Sequence, residues 1–157
     1  MLTATSERTA KLFRTDWLQT EYTPDAFGVL LCGTFTHIYA IGAGEKSLVP
    51  NTAPFREYIE TALTEIKYLL AANNCNPSTA DLSCGKLDLV LTCASQESRN
   101  YNFGKELKKH NHLDPTTITN TTEGFSAINS LKSSNLIIPA GCDVLNKIIE
   151  RVKDATK

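Results

Sequence analysis

The sequence predicts a three-layer α/β/α fold with a mixed five-stranded sheet, in which an N-terminal antiparallel hairpin joins a parallel C-terminal half. Two apolar, β-prone runs meet at the short connection Gly33-Thr34, which is typical of a hairpin. Apolar runs and amphipathic stretches then alternate through the second half of the chain, which requires crossover connections. No linker or repeat interrupts this pattern, so residues 1–157 are predicted to form a single globular domain.

The first half of the chain is predicted to contain a helix, the hairpin and a longer helix. Ser6 is a good N-cap residue, and Pro24 ends the first periodic stretch. Pro54 suits the first turn of the next helix, where its missing N–H costs nothing. The predicted elements are a helix at 6–19, strands at 27–32 and 35–41, and a helix at 52–73.

The second half of the chain is predicted to alternate strands and helices. A helix begins at Ser95 or Ser98, and Gly104 weakens it by roughly 1 kcal/mol relative to alanine. The last helix has Asp143 near its start and Lys153 near its end, as the helix dipole favours. The predicted elements are strands at 87–92, 116–119 and 135–139, and helices ending at His110 and covering 122–132 and 142–155.

Composition and charge narrow the classes of partner. The chain has 16 Lys and Arg residues against 17 Asp and Glu residues, a net charge of -1. Nucleic acids and anionic membranes attract proteins with a surplus of cations, so neither is expected as a partner. The polar N-terminus and the five cysteines, an odd number, favour a cytoplasmic protein with free cysteines. Cys75 and Cys84, which flank a polar loop, are the one pair that the sequence singles out for a disulfide.

The predicted element order resembles the cytidine-deaminase-like fold over about residues 6–155. Hydrolytic members of that family bind zinc through a His or Cys before Ala-Glu, and through a Pro-Cys-x-x-Cys motif after the third strand. The matching stretches here are residues 50–55, which contain no ligand, and residues 91–96, where Cys93 stands alone. The resemblance therefore implies a deaminase-like fold that lacks the zinc site. No metal or cofactor is expected, because a water-activating zinc needs about three protein ligands.

Three of the predicted strands end at one edge of the sheet, and each is followed by a helix N-terminus. Ligands bind at this edge in open α/β sheets, and helix N-termini favour anions and lower the pKa of thiols. Cys93 is therefore the candidate catalytic nucleophile. The candidate binding residues are Thr92, Ser95, Asn120, Thr121, Gly141 and Cys142. The alternative is that these residues cap helices and fill small gaps in the core.

Three further patterns are weaker. Cys32 and His37 flank the predicted hairpin turn, residues 42–47 are rich in glycine, and His110 and His112 have the spacing of metal ligands. Each lacks part of the required set, namely an orienting third residue, the spacing of a phosphate loop, or further ligands. We interpret them as packing or surface features.

Two functions remain open on these observations. The first is a non-catalytic binding or regulatory module that acts through a protein partner or through self-association into a homo-oligomer. The alternative is a cysteine-dependent enzyme that acts on a small anionic or amide substrate, with Cys93 as its nucleophile.

Overall fold

The computed structural model describes residues 1–110, 122–131 and 133–156. Its architecture is mostly helical, with one small parallel sheet. The strands are β1 (Leu2–Ala4) and β2 (Thr20–Tyr22). The helices are α1 (Glu7–Phe13), α2 (Ala26–Glu45), α3 (Ala53–Ala72), α4 (Asp88–Ala94), α5 (Arg99–Lys109), α6 (Glu123–Leu131) and α7 (Asp143–Ala155). A 3-10 turn (Pro77–Asp81) and a π-helical turn (Ser83–Leu87) connect α3 to α4.

The predicted five-stranded mixed sheet is absent from the described residues. The chain does combine helices with a parallel sheet, but that sheet has two strands, with Leu2 opposite Thr20 and Ala4 opposite Tyr22. The strand predicted at 135–139 is an extended segment without sheet pairing, and the strand predicted at 116–119 lies outside the described residues.

The predicted hairpin is instead the single 20-residue helix α2. The Asp25 carboxylate accepts a hydrogen bond from the Gly28 N–H at 2.9 Å and starts the helix. Most of α2 is buried on all sides, so its sequence shows no polar face and hence no helical period. A continuously apolar run cannot by itself distinguish a buried strand from a buried helix, which is why the prediction was wrong.

Among the described helices, α2 alone is long and apolar enough to cross a membrane. In its most apolar 18-residue window, 61% is buried against the rest of the chain, as in the core helix of a soluble protein. The long apolar run is therefore explained by packing within the fold.

Helix α5 crosses α2 at unusually close range. A Cβ atom at Gly104 would overlap the Ile41 carbonyl, and one at Gly44 would overlap the Tyr101 carbonyl. These two glycines let the backbones touch, so the glycine that lowers the helix propensity of α5 is required by its packing. The other core side chains of this layer include Phe103 and Phe125, whose rings meet edge to face at 5.7 Å.

The predicted strand at 87–92 is helix α4. Leu89 and Cys93, four residues apart, are its buried positions, and Asp88 lies in its first turn. The run is short and holds only one pair of apolar residues at helical spacing, so its β-prone residues favoured a strand in the sequence. The helices predicted at 52–73, 122–132 and 142–155 are confirmed as α3, α6 and α7.

The N-terminal residues form a β1–α1–β2 unit. The Ser6 hydroxyl accepts a hydrogen bond from the Thr9 N–H, as predicted for the N-cap, but α1 ends at Phe13 instead of residue 19. Trp17 lies after this end and is 97% exposed. The unit is held to the rest of the chain by the Glu21 carboxylate, which accepts hydrogen bonds from the Ser83 N–H and hydroxyl, both at 2.7 Å.

Candidate functional site

The first part of the candidate site is a carboxylate held between α2 and α4. The Thr36 hydroxyl, fully buried on α2, donates to Asp88 Oδ2 at 2.6 Å. The Thr92 hydroxyl, one helical turn beyond Asp88, lies 3.5 Å from Asp88 Oδ1. Because α4 is helical, Thr92 shares a face with Asp88, four residues before it, while the packing of α2 on α4 brings Thr36 to the same carboxylate.

The second part is an asparagine at the start of α5. Asn100 is 3% exposed, and its amide N–H₂ group lies 3.2 Å from His37 Nδ1 and 3.3 Å from Glu123 Oε2. Its carbonyl oxygen accepts a hydrogen bond from the Gly124 N–H at 2.9 Å. Asn100 therefore ties α2, α5 and α6 together and orients the His37 ring, which follows Thr36 in the sequence.

The third part is an ion pair at the surface. Arg99, in the first turn of α5, pairs with Glu123, and both side chains are about half exposed. The Ser98 hydroxyl caps α5 by accepting from the Tyr101 N–H at 3.3 Å, so the guanidinium stands at a helix N-terminus. The pKa of Glu123 lies below its usual value because the carboxylate accepts from its own backbone N–H and faces Arg99.

These residues form two hydrogen-bonded groups on four helices, which the adjacent residues Thr36 and His37 of α2 bring next to each other. His37 and Glu123, from the second group, border a groove of about 340 Å³. The groove is lined by Gly33, Thr34, His37 and Glu123, among others. The polar cluster consists of Thr36, His37, Asp88, Thr92, Arg99, Asn100 and Glu123. Its chemistry combines a cation, two carboxylates, an imidazole and several hydroxyl or amide groups. Such a set can bind an anionic group and hydrogen-bond a neighbouring hydroxyl.

The predicted strand-end pocket does not form, because its strands are absent from the described residues. Cys93 is a fully buried residue of α4, and burial raises the pKa of its thiol. A buried thiol of raised pKa is not an activated nucleophile. Ser95 follows the end of α4 and accepts from the Glu97 N–H at 3.2 Å. Thr92 is the one predicted binding residue that lies in the polar cluster.

The other predicted binding residues do not join the polar cluster. Gly141 has a φ of +94°, a backbone conformation that favours glycine, and Cys142 is buried. Burial also raises the pKa of Cys142 to about 11. Asn120 and Thr121 lie outside the described residues.

The helix N-terminus after Cys142 already holds an anion from this chain. The carboxylate of Glu65, which is 2% exposed, accepts from the Val144 N–H at 2.8 Å and the Leu145 N–H at 2.9 Å. It also accepts from the Tyr39 hydroxyl at 2.7 Å. The principle that an anion belongs at this terminus was correct, but its ligand is internal.

The weaker patterns are also resolved. Cys32 and His37 lie in one helix five residues apart, and residues 42–45 are the last turn of α2. His110 lies 3.7 Å from Glu106, and His112 is outside the described residues. Within the described residues, no group of three His, Cys, Asp or Glu side chains could hold a metal ion.

The sequence matches the family model described as NAD-dependent glycerol-3-phosphate dehydrogenase C-terminus over residues 25–153. The chain belongs to this family. The match covers every residue of the polar cluster, whereas the resemblance to the cytidine-deaminase-like fold rested on an element order that is not present. The deaminase-like interpretation, the non-catalytic binding or regulatory module and the cysteine-dependent enzyme are therefore wrong.

Relatives with curated descriptions carry the same name. The chain is 33% identical over 150 residues to glycerol-3-phosphate dehydrogenase [NAD(P)+] of Dehalococcoides mccartyi strain BAV1, which covers 90% of this chain and 42% of that protein. It is 30% identical over 145 residues to the same enzyme of Neorickettsia sennetsu, covering 90% of this chain and 41% of that protein. The chain therefore spans less than half the length of these relatives.

The fold agrees with a solved member of the family. The crystal structure of glycerol-3-phosphate dehydrogenase from Coxiella burnetii superposes with a TM-score of 0.68 at 21% identity, covering 94% of this chain and 50% of that chain. This likeness supports the fold described above.

Sequence reasoning missed most of the polar cluster. Asp88 was assigned to a buried strand, where a carboxylate without a partner should have indicated a site. Arg99 and Asn100 were assigned to the first turn of a weak helix, and Thr36 to a strand facing the core. His37 was considered only as a partner of Cys32. The helical α2 was needed to bring Thr36 and His37 to the same face as Asp88 and Asn100.

Proposed function

We propose that this chain supplies the substrate-binding surface of a glycerol-3-phosphate dehydrogenase, with a small phosphorylated polyol bound at the polar cluster. One observation carries the proposal: His37 and Glu123 line one groove, and the Arg99 guanidinium, which stands at a helix N-terminus, pairs with that Glu123. The name that the relatives carry supplies the chemical class of the ligand, a polyol with one phosphate.

In this proposal Arg99 binds the phosphate. A guanidinium can form two parallel hydrogen bonds to phosphate oxygens, and the start of α5 adds a favourable dipole. In this structure the Arg99 guanidinium is paired with the Glu123 carboxylate, so a phosphate would have to displace that carboxylate in order to bind. Replacing the Glu123 carboxylate with an uncharged side chain should therefore strengthen phosphate binding.

Asp88 binds a hydroxyl of the polyol in the same proposal. The Thr36 contact at 2.6 Å is short, whereas the Thr92 contact at 3.5 Å is at the limit of a hydrogen bond. A ligand hydroxyl can replace Thr92 on Asp88 Oδ1 without disturbing Thr36. Asp88, which would hold that hydroxyl, is the group placed to accept its proton.

The described residues do not fit the dinucleotide for which the family is named. The pyrophosphate of a dinucleotide needs a glycine-rich turn between a strand and a helix N-terminus. Here the turn from β1 to α1 is Thr5-Ser6 and the turn from β2 to α2 is 23–25, and neither contains glycine. Gly42 and Gly44 are buried inside α2. We therefore assign no residue of this chain to the nucleotide.

A protein partner follows from the β1–α1–β2 unit. Among the described residues β1 and β2 pair only with each other, and parallel sheets of two strands are not stable alone. We propose that further parallel strands, bearing the nucleotide-binding turn, add to this sheet. A cytoplasmic location and a single domain over residues 1–157 are part of the same proposal.

The test is a titration of the chain with sn-glycerol 3-phosphate, followed by two-dimensional NMR of labelled protein. Arg99→Ala should weaken binding at least tenfold, because a charged hydrogen bond contributes about 1.5–3 kcal/mol. Arg56→Ala is the matched control, since this exposed arginine on α3 donates a hydrogen bond to the Asn51 carbonyl at 3.0 Å and is not part of the polar cluster. Glycerol, which lacks the phosphate, should bind much more weakly.

Two outcomes would contradict the proposal. Binding that is unaffected by Arg99→Ala would place the phosphate elsewhere. If the ligand changed the NMR chemical shifts only of residues outside the four helices of the polar cluster, this groove would be excluded as the binding surface.

A further inference from the structure

A chain of hydrogen bonds leads from the small sheet to the Asp88 carboxylate of the polar cluster. Glu21 Oε2, on β2, accepts from the Ser83 N–H and from the Ser83 hydroxyl, both at 2.7 Å. Ser83 opens the π-helical turn, and its carbonyl oxygen accepts from the backbone N–H of Asp88. The Thr36 hydroxyl donates to the Asp88 side chain at 2.6 Å. A single residue, Ser83, therefore connects Glu21 with Asp88.

The start of α4 depends on the π-helical turn. The residue before the helix is Leu87, whose apolar side chain cannot accept a hydrogen bond and so cannot cap it. The Asp88 N–H, one of the first amides of α4, is satisfied instead within the turn, by the carbonyl oxygens of Ser83 and Gly85. Turns of this type are rare and occur frequently at functional sites. The π-helical turn therefore sets the place from which the Asp88 side chain projects.

Both strands of the small sheet hold the π-helical turn. Besides the two contacts of Glu21 on β2, the Thr3 hydroxyl of β1 lies 2.8 Å from the Ser83 hydroxyl and accepts from the Cys84 N–H at 3.2 Å. Ser83 is a buried residue, so without the Glu21 carboxylate its N–H would lose its partner away from water. The turn would then have to shift for that N–H to reach water, and the shift would be passed on to Asp88.

We infer that Glu21 is a positioning residue for Asp88, and that it sets how well the polar cluster distinguishes a phosphorylated polyol from phosphate alone. The inference rests on the proposed function, in which Asp88 binds a hydroxyl and Arg99 binds the phosphate. Loss of the Glu21 carboxylate releases the Ser83 N–H and moves Asp88 away from the ligand hydroxyl. Arg99 keeps its place, because α5 is capped separately, by the Ser98 hydroxyl.

The first test compares two ligands, sn-glycerol 3-phosphate and inorganic phosphate, by NMR titration of the labelled chain. Glu21→Ala should weaken the binding of sn-glycerol 3-phosphate on the order of tenfold, the lower end of what a hydrogen bond to a charged group contributes. The binding of inorganic phosphate should change less than about twofold, because Arg99 and Glu21 share no partner. Glu21→Gln keeps an acceptor oxygen for the Ser83 N–H and should retain most of the affinity. Glu7→Ala is the matched control, an exposed glutamate of the same β1–α1–β2 unit that pairs with Lys11.

Amide hydrogen exchange tests the same inference without a ligand. In Glu21→Ala, the backbone N–H of Asp88 should exchange at least about tenfold faster than in the wild type, because the turn that protects it opens locally. The slowest amides of α7 should keep their rates, which separates a local shift from a general loss of stability. Glu7→Ala should leave the exchange rates of both regions unchanged.

Three results would overturn the role of Glu21 and leave the proposed function standing. They are an equal loss of affinity for the two ligands, unchanged exchange at Asp88, and an acceleration of exchange in α7 as large as that at Asp88. A wild-type chain that does not bind sn-glycerol 3-phosphate would instead overturn the proposed function, and the role of Glu21 with it.

Discussion

The Glu65 network and the polar cluster both centre on carboxylates, yet one is closed and the other open. Glu65 is buried and receives hydrogen bonds from a phenol and two backbone N–H groups. In the polar cluster, the Arg99–Glu123 pair faces water and Thr92 reaches Asp88 only at 3.5 Å. A carboxylate with all its partners inside the chain stabilises the fold, whereas one with spare capacity beside a groove can exchange a partner for a ligand.

The largest effect should come from breaking the closed network. Glu65→Gln replaces one acceptor with an amide that faces a backbone N–H, and it should lower the free energy of unfolding by about 3 kcal/mol. Urea denaturation followed by circular dichroism measures this. Glu60→Gln, an exposed position on the same helix, should change it by less than about 0.5 kcal/mol. Similar losses for the two variants would remove the distinction between the networks.

A smaller effect on stability, of opposite sign at the two positions, should follow from replacing Gly104 and Gly33 with alanine. Gly104→Ala places a methyl group against the Ile41 carbonyl and should destabilise by about 1–3 kcal/mol. Gly33 lies on α2 at the open groove, where an added Cβ atom would have no neighbour within 4 Å. Gly33→Ala should therefore stabilise by up to about 1 kcal/mol through helix propensity. Thermal melting of both variants shows whether each substitution raises or lowers stability. A Gly104→Ala variant as stable as the wild type would show that α2 and α5 can move apart.

The smallest effect should appear in acid, at the open cluster. Glu123 has a folded pKa below its unfolded value of 4.5, so the charged form is favoured in the native state. Its contribution is present above pH 4.5 and is lost as the pH falls through the folded pKa. Glu123→Gln should therefore lose less stability than the wild type between pH 5 and pH 3, as measured by urea midpoints. An identical pH dependence in both proteins would show that the fold does not favour the charged form of this carboxylate.

Sequence patterns predicted the amphipathic helices well and the central one wrongly. α3 and α7 have one apolar face each, so their apolar residues recur with helical spacing in the sequence. α2 is apolar on most of its surface and shows no such spacing, so it was predicted as two strands divided at Gly33. That single error also concealed the site, because Thr36 and His37 face α4 and α5 only when residues 26–45 are helical. The cap at Ser6 and the anion at the start of α7 were predictable because they depend on local backbone chemistry.

The exposed Trp17 determines how this protein can be observed. It is the chain's single tryptophan, and its indole is already in water in the native state. Tryptophan emission should therefore sit near its solvent-exposed wavelength before and after denaturation, and quenchers should reach it in both. The same indole becomes a sensitive reporter of anything that covers the β1–α1–β2 unit, since a blue shift can then arise from association alone.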